Sequence, residues 1–289
     1  MKPVKQVLSF AAAVAFAAIA LPAAAQTVLN VNTALTTDDP MYAGLERMKA
    51  NVEKRSAGKL QIRIFPGSQL GKDEDVLEQA RAGANVAVLV DGGRLAPFVK
   101  EFGIMGAPYL VDNFDQVLRL QQSALFKGWV EKLRGAANLQ VLSFDWFQGH
   151  RHMLTNVPVK VPADLKGVRV RTPGAPVWLE TVRAMGATPT GMPWSEVYSA
   201  LQTRVIDGAE AQHPAVYGAR LYEVVKIITK TNHIYLITGI VTRRAWFDKL
   251  PAGQQAILSE ESFAAGKWAS DATIASLADY EKKLREKGV

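Results

Sequence analysis

The spacing of apolar residues along this chain switches repeatedly between strand and helix periods. Val28, Leu29 and Val31 open a first strand. The polar turn Thr36-Thr37-Asp38-Asp39 follows, and Pro40 at a first helical position starts a helix. Within it Met41, Leu45, Met48 and Val52 recur at spacings of four, three and four, one apolar stripe. Leu60, Ile62 and Ile64 alternate with Gln61 and Arg63, a half-buried strand closed by Pro66-Gly67. A helix over Asp73–Ala82 stops at Gly83, and residues 86–90 form the short apolar run of a buried parallel strand. After Pro97 the cycle resumes. Residues 102–110 read as a strand or extended loop, 114–133 as a helix and 139–146 as a strand. A turn at 163–167 feeds a strand over 168–171, helices are predicted over 176–185 and 195–201, and 205–206 is a short strand. Residues 251–287 form one long helix with Leu277, Tyr280 and Leu284 on a single face. No internal repeat of fixed period appears. Alternating βα units predict an α/β fold, organised as two domains whose strands direct their carboxyl ends into a shared cleft.

The N-terminus sets the compartment. Lys2 and Lys5 precede an apolar run over 7–21, and Pro22-Ala23-Ala24-Ala25 leads to Gln26. A basic start, a short apolar stretch and small residues predict a secretory signal peptide over residues 1–25, cleaved after Ala25. The run is shorter than the roughly 20 residues of a membrane anchor, and no later segment is apolar and long enough to span a bilayer, so a periplasmic product is expected. Cleavage removes two of the 34 basic residues and leaves 32 against 27 acidic ones. The absence of cysteine excludes disulfides, thiol nucleophiles and Cys-ligated metals. The basic residues are interspersed with acidic ones and form no tract, so nucleic acid is not an expected partner. A modest positive field suits attraction of a small anion.

Two arginines invite anion capture: Arg151, within Phe147-Gln148-Gly149-His150-Arg151, and Arg171, at the carboxyl end of its strand beside Thr172-Pro173-Gly174. Ligands of open α/β sheets bind at that end, and a guanidinium fork grips a carboxylate through two parallel hydrogen bonds. His150 and His152 form an H-x-H pair without an evident carboxylate partner, so no metal and no cofactor are expected. Asp91-Gly92-Gly93-Arg94 lacks the spacing of nucleotide loops, but Arg94 would serve as a second carboxylate clamp for a diacid. His233 reads as a hydrogen-bonded structural residue and Glu210 as the positioning partner of an arginine. Catalytic signatures such as G-x-S-x-G and H-E-x-x-H are missing, so no enzyme is expected. A glycosidase-like pair of Glu196 with Glu210 is the enzymatic alternative.

Several blocks together are recognisable. Val52-Glu53-Lys54-Arg55-Ser56-Ala57-Gly58-Lys59-Leu60 runs into Ile64-Phe65-Pro66-Gly67-Ser68-Gln69-Leu70-Gly71. Further on stand Pro162-Ala163-Asp164-Leu165-Lys166-Gly167-Val168-Arg169-Val170-Arg171 and Gly186-Ala187-Thr188-Pro189-Thr190. The most specific block is Met192-Pro193-Trp194-Ser195-Glu196-Val197-Tyr198-Ser199-Ala200-Leu201-Gln202, followed by Val205-Ile206-Asp207-Gly208-Ala209-Glu210 and Tyr222-Glu223-Val224-Val225-Lys226. In this order they resemble the solute-binding proteins of tripartite ATP-independent periplasmic (TRAP) transporters, the DctP family.

The resemblance implies a two-domain, type II-like periplasmic binding protein fold of the Venus-flytrap kind, with a long bracing helix near the C-terminus. It implies a monomeric receptor that closes on an organic acid and delivers it to the transporter's membrane subunits, a sugar acid ahead of a C4-dicarboxylate. A receptor feeding a membrane sensor is the alternative. Domain I is expected over 26–148 plus about 237–276 and domain II over 149–236 plus about 277–289, with hinges near Gln148-Gly149 and 236–239. Arg171 is expected to hold the ligand carboxylate, Arg151 to assist, and Trp194 with Trp146 to cover the carbon skeleton. Glu74 matches a cleft-facing position of the family, and Thr36 to Asp39 belong to a loop at the cleft border. Ala211 stands where sialic-acid binders place asparagine, which disfavours that ligand and leaves Gln212 or His213 to compensate. Arg204 replaces a small residue of the family. Family members continue beyond Gly288-Val289, so the second domain is expected to be truncated.

Overall fold

The computed structural model describes residues 26–289, and the leader read at residues 1–25 lies outside them. The chain begins with β1 (Thr27–Asn32), α1 (Pro40–Arg55), β2 (Leu60–Phe65), α2 (Asp73–Ala82) and β3 (Val86–Asp91). The Asp39 side chain caps α1 by accepting the Met41 N–H at 2.9 Å. A single turn, α3 (Gly92–Leu95), and a 3₁₀ segment (Lys100–Gly106) follow. Residues 102–110 are therefore mostly 3₁₀ turns and loop instead of an extended strand; Phe102 and Met105 bury one side of those turns. Residues 114–133, read as one helix, are two: α4 (Phe114–Gln122) and α5 (Ala124–Ala137). The break falls at Ser123, whose extended backbone ends the first helix while its hydroxyl accepts the Phe126 N–H of the second.

Next come β4 (Leu139–Thr155), β5 (Arg169–Thr172), α6 (Pro176–Ala184), β6 (Thr188–Gly191), α7 (Val197–Gln202), β7 (Gly208–Ala211) and α8 (His213–Gly218). The chain closes with β8 (Ile227–Arg243), α9 (Arg244–Phe247) and α10 (Ala252–Glu286). The short strand read at 205–206 lies instead at 208–211. Ile206 is core, Val205 is exposed, and the Asp207 amide already reaches Arg169 O in the approach to β7.

All eight strands form one sheet in the order β2-β1-β3-β8-β4-β7-β5-β6. β4 and β8 are each 17 residues long and pair antiparallel along the middle. β3 joins the ribbon only at residues 238–242 of β8, and β7 only at residues 152–155 of β4. Each end of the ribbon therefore carries its own flanking strands, parallel among themselves. Between the ends the register shifts from Phe147 to Gly149, where φ of +115° is left-handed territory open to glycine.

Each group of strands buries its own apolar faces. Val88, Val90, Phe102, Phe126, Leu133 and Phe144 pack beneath α5, while Leu29, Val31, Met41, Met48, Trp146 and Ala265 fill the space between α1, the sheet and α10. Beyond Gly149, Leu154, Val197, Leu201, Ala209 and Val216 form another cluster and Met153, Val170 and Val182 a smaller one. Helix α10, 35 residues long, lies along α1 and β4 and reaches Leu284 in the cluster of the second group. No helix among the described residues is apolar and long enough to cross a membrane.

Candidate functional site

A cleft opens where the carboxyl ends of β1, β3 and β5 meet the shifted middle of the β4–β8 ribbon. Its enclosed volume is small, about 50 Å³, and the space continues outward to the mouth. The strand-end location is where open α/β sheets place ligands, because the side chains and amides that follow each strand converge there.

Arg171 enters from β5 and is only 1% exposed. Its Nε donates to the Met192 carbonyl at 2.8 Å, its guanidinium carbon lies 5.4 Å from the centre of the Trp194 ring, and its Nη2 is buried without a partner. Burial, and then the neighbouring Arg151 charge, pull its pKa down to about 9. This cation has been taken out of water without being given an anion.

Arg151, on β4, is differently placed. Its Nη2 donates to Glu210 Oε1 at 2.7 Å, its Nε donates to Oε2 of the same carboxylate, and its Nη1 donates to Gln212 Oε1 at 3.1 Å. The guanidinium also lies over Trp178 at 4.7 Å. Thr172 Oγ1 adds a bond to Glu210 at 2.8 Å. Burial opposes the Glu210 charge, but Arg151, followed by the nearby His233, prevails and its pKa falls to about 2. His233 is fully buried, with Nδ1 2.7 Å from Thr231 Oγ1 and Nε2 3.6 Å from Glu210. Gln212 extends the network: its Nε2 donates to Gln148 at 2.9 Å, and Gln148 donates to Thr238 at 3.2 Å. Polar groups from β4, β7 and β8 are thereby tied together across the cleft floor.

The third arginine, Arg94, faces carboxylates on three sides. Its Nε donates to Glu74 at 2.9 Å and lies 3.7 Å from Asp73, and its Nη1 donates to Asp91. Burial, only partly relieved by Arg94, pushes Asp73 up to about 7. Asn32 Nδ2 approaches the other Asp73 oxygen at 3.5 Å.

Arg171, Arg151, Trp194, Gln212 and Arg94 thus line one cleft. The other expected residues do not. Glu74 sits behind Arg94, and its neighbour Asp73 faces the space instead, because the first turn of α2 presents that face. Thr33 to Leu35 line the cleft, whereas Thr36 is pressed against Gly218 and Asp39 is committed to capping α1. Ala211 is buried in β7 opposite His152. Trp146 is wholly buried in the core against α10, its Nε1 donating to Ser143 at 2.9 Å. Glu196 pairs at the rim with Lys72 at 2.5 Å while Glu210 is held by Arg151, so the two do not form a carboxylate pair. His150 packs on Phe147 and Tyr235, and His152 on His213. Among the described residues no group of three or more metal-ligating side chains is assembled.

Sequence reading missed Asp73, Asp91, Gln148 and Thr238 on the cleft wall, and Trp178 beside it. Gln148 had a signal in its place before a glycine that interrupts a strand, and Asp91 in the glycine-rich loop that carries Arg94.

Residues 31–289 match the family described as bacterial extracellular solute-binding protein, family 7 (DctP). The chain is 33% identical over 231 residues to the C4-dicarboxylate-binding periplasmic protein DctP of Vibrio cholerae, covering 78% of this chain and 68% of that one. A TRAP periplasmic solute-binding protein from Escherichia fergusonii in an apo open structure shares 47% identity, with 91% and 88% of the two chains covered, at a TM-score of 0.78. One from Actinobacillus succinogenes with bound L-galactonate shares 31% identity over 91% and 87% of the chains, at a TM-score of 0.88. The present conformation therefore overlays better on the acid-bound relative than on the open one, against the order of sequence identity.

Proposed function

The chain belongs to bacterial extracellular solute-binding protein family 7, and from that premise we propose that it is the periplasmic receptor of a TRAP transporter for a hydroxylated organic acid, gripped by its carboxylate at Arg171. The observation that carries the site is the burial of Arg171 with Nη2 unpartnered and no carboxylate within ion-pair distance among the described residues. A ligand carboxylate supplies the missing acceptor and restores the charge balance that burial upset. Arg151, already held by Glu210, donates from the side, and the face of Trp194 covers the carbon skeleton. Micromolar binding requires about −8 kcal/mol. Charge-assisted bonds worth roughly 1.5–3 kcal/mol each and apolar burial at about 25 cal/mol per Å² reach that range.

The receptor works by closure. Residues 26–148 with 237–276 form one lobe and 149–236 with 277–289 the other, hinged where β4 and β8 pass Gly149 and Leu236. Trp178 and Trp194 come from the second lobe and meet the first when the cleft shuts. The acid is released unchanged to the membrane subunits, without catalysis, by a monomeric receptor. The relatives with L-galactonate and C4-dicarboxylate ligands support an acid of this size.

The test is a thermal-shift titration with L-galactonate. Wild-type protein should be stabilised by an amount that rises with the logarithm of ligand excess, while Arg171→Ala, melting normally without ligand, should show no shift. An equal shift in the variant would place the carboxylate elsewhere. Recovery of the acid unaltered, at one molecule per chain, separates a receptor from an enzyme.

A further inference from the structure

The three arginines of the cleft differ in what they have left to give. Arg151 is bound by both oxygens of Glu210. Arg94 answers to Asp91, Glu74 and Asp73 together, three acidic groups around one cation. Arg171 alone of the three retains a buried donor with no acceptor.

Building on the receptor reading above, we propose that the cleft selects acids with one carboxylate and a hydroxylated tail, and rejects the corresponding diacids, with Asp73 as the discriminating residue. Arg94 is therefore not the second carboxylate clamp that its position in a glycine-rich loop suggested. For a second ligand carboxylate to recruit Arg94, it would have to draw the guanidinium away from Asp91 and Glu74, leaving the buried Asp91 carboxylate without that donor. It would also meet Asp91, and Asp73 wherever that carboxyl is ionised, as like charges and as acceptors facing an acceptor, so the discrimination is read at pH 8.

A hydroxyl meets the same wall on other terms. It donates to a carboxylate and can accept from an arginine or amide in the same place. Asp73 is buried and lines the space, and its bond from Asn32 is long at 3.5 Å, so it can take a shorter O–H. Gln148, Gln212 and Thr238 continue the wall with uncharged donors and acceptors. One end of the cleft thus offers an unanswered positive charge, while the wall from α2 and β3 offers answered charge and hydroxyl acceptors.

Calorimetric titration of the full protein with matched acids tests this. L-galactonate and galactarate share a carbon chain and differ only in whether the far end is an alcohol or a carboxylate; D-gluconate and D-glucarate form a second pair. The monoacid should bind at least about tenfold more tightly in a pair that binds. Asp73→Asn should narrow that ratio to about threefold or less by strengthening the diacid. Equal or tighter binding of the diacid by wild-type protein overturns the proposal, as does binding of succinate in preference to all four. An unchanged ratio in a folded Asp73→Asn variant also overturns it. Should that variant not fold, the wild-type ratio decides. Silence of wild-type protein towards all five acids would instead sink the receptor reading, and this inference with it, a pattern distinct from binding with the wrong preference.

Discussion

Closure can be blocked at a site that never touches the ligand. Gly106 ends the 3₁₀ segment, and Trp178, 1% exposed on α6, rests against it, a contact that would join the two lobes of the proposed division. A Cβ on Gly106 would have Trp178 Nε1 at 2.4 Å, Cε2 at 3.0 Å and Cδ1 at 3.2 Å as its three nearest atoms. Unstrained contacts of this kind begin near 3.5 Å, so Gly106→Ala overlaps by about an ångström. The φ of Gly106 is not positive, so alanine fits the backbone and the conflict is with Trp178. Overpacking of this sort costs about 1–3 kcal/mol. If the contact forms only on the proposed closure, that cost is expected as roughly 5- to 150-fold weaker ligand affinity. The assay is calorimetry with L-galactonate beside a melt of the unliganded protein, and repetition in a Trp178→Leu background, where the methyl has room. The expected pattern is weaker binding, an unchanged unliganded melting temperature, and a much smaller effect of the alanine once Trp178 is gone. Wild-type affinity in Gly106→Ala, or an equal loss with and without Trp178, would refute closure through this contact.

Two further outcomes concern buried residues away from the ligand. Trp146→Phe removes the bond to Ser143 and part of a core side chain, so it should cost about 1–3 kcal/mol and lower the melting temperature by several degrees. Ligand affinity should hold within about twofold, whereas a large affinity loss with an intact melt would return Trp146 to the ligand's surroundings. Asp145 is fully buried with neither oxygen partnered, and burial pushes its pKa from 3.8 to about 7. The folded protein then keeps a proton that the unfolded chain releases above about pH 4, so stability should fall as pH rises from there towards 7 and level off beyond. Asp145 alone contributes a slope approaching about 1.4 kcal/mol per pH unit in that window. Urea melts without ligand should show the slope reduced in Asp145→Asn, and an unchanged slope would assign the pH dependence to other groups.

The cleft was legible in part because one end of a strand is a local feature. Arg171 stands beside Thr172-Pro173-Gly174, and the proline and glycine end the strand whatever lies around it. The helix stripe of Met41, Leu45, Met48 and Val52 was equally local, and those four residues are the buried face of α1 together with Gly44. Ser123 shows the limit: a capping serine inside an apolar periodic run leaves the period intact, and only the backbone reveals two helices. Three of the six tryptophans show it more sharply. Trp146, Trp178 and Trp194 are alike in composition, yet one is core, one lies between lobes and one faces the cleft.

By itself the sequence determined the succession of βα units, the family and the strand that carries Arg171, because spacing and turn chemistry act over a few residues. The tertiary structure alone decided which arginine remains free. Arg151 is satisfied by a glutamate 59 residues away because β7 pairs with β4, and Arg94 is surrounded because α2 packs beside β3. Charge can be counted along a chain, but whether a charge is answered depends on which strands and helices are neighbours, and that is fixed only when the whole sheet is assembled.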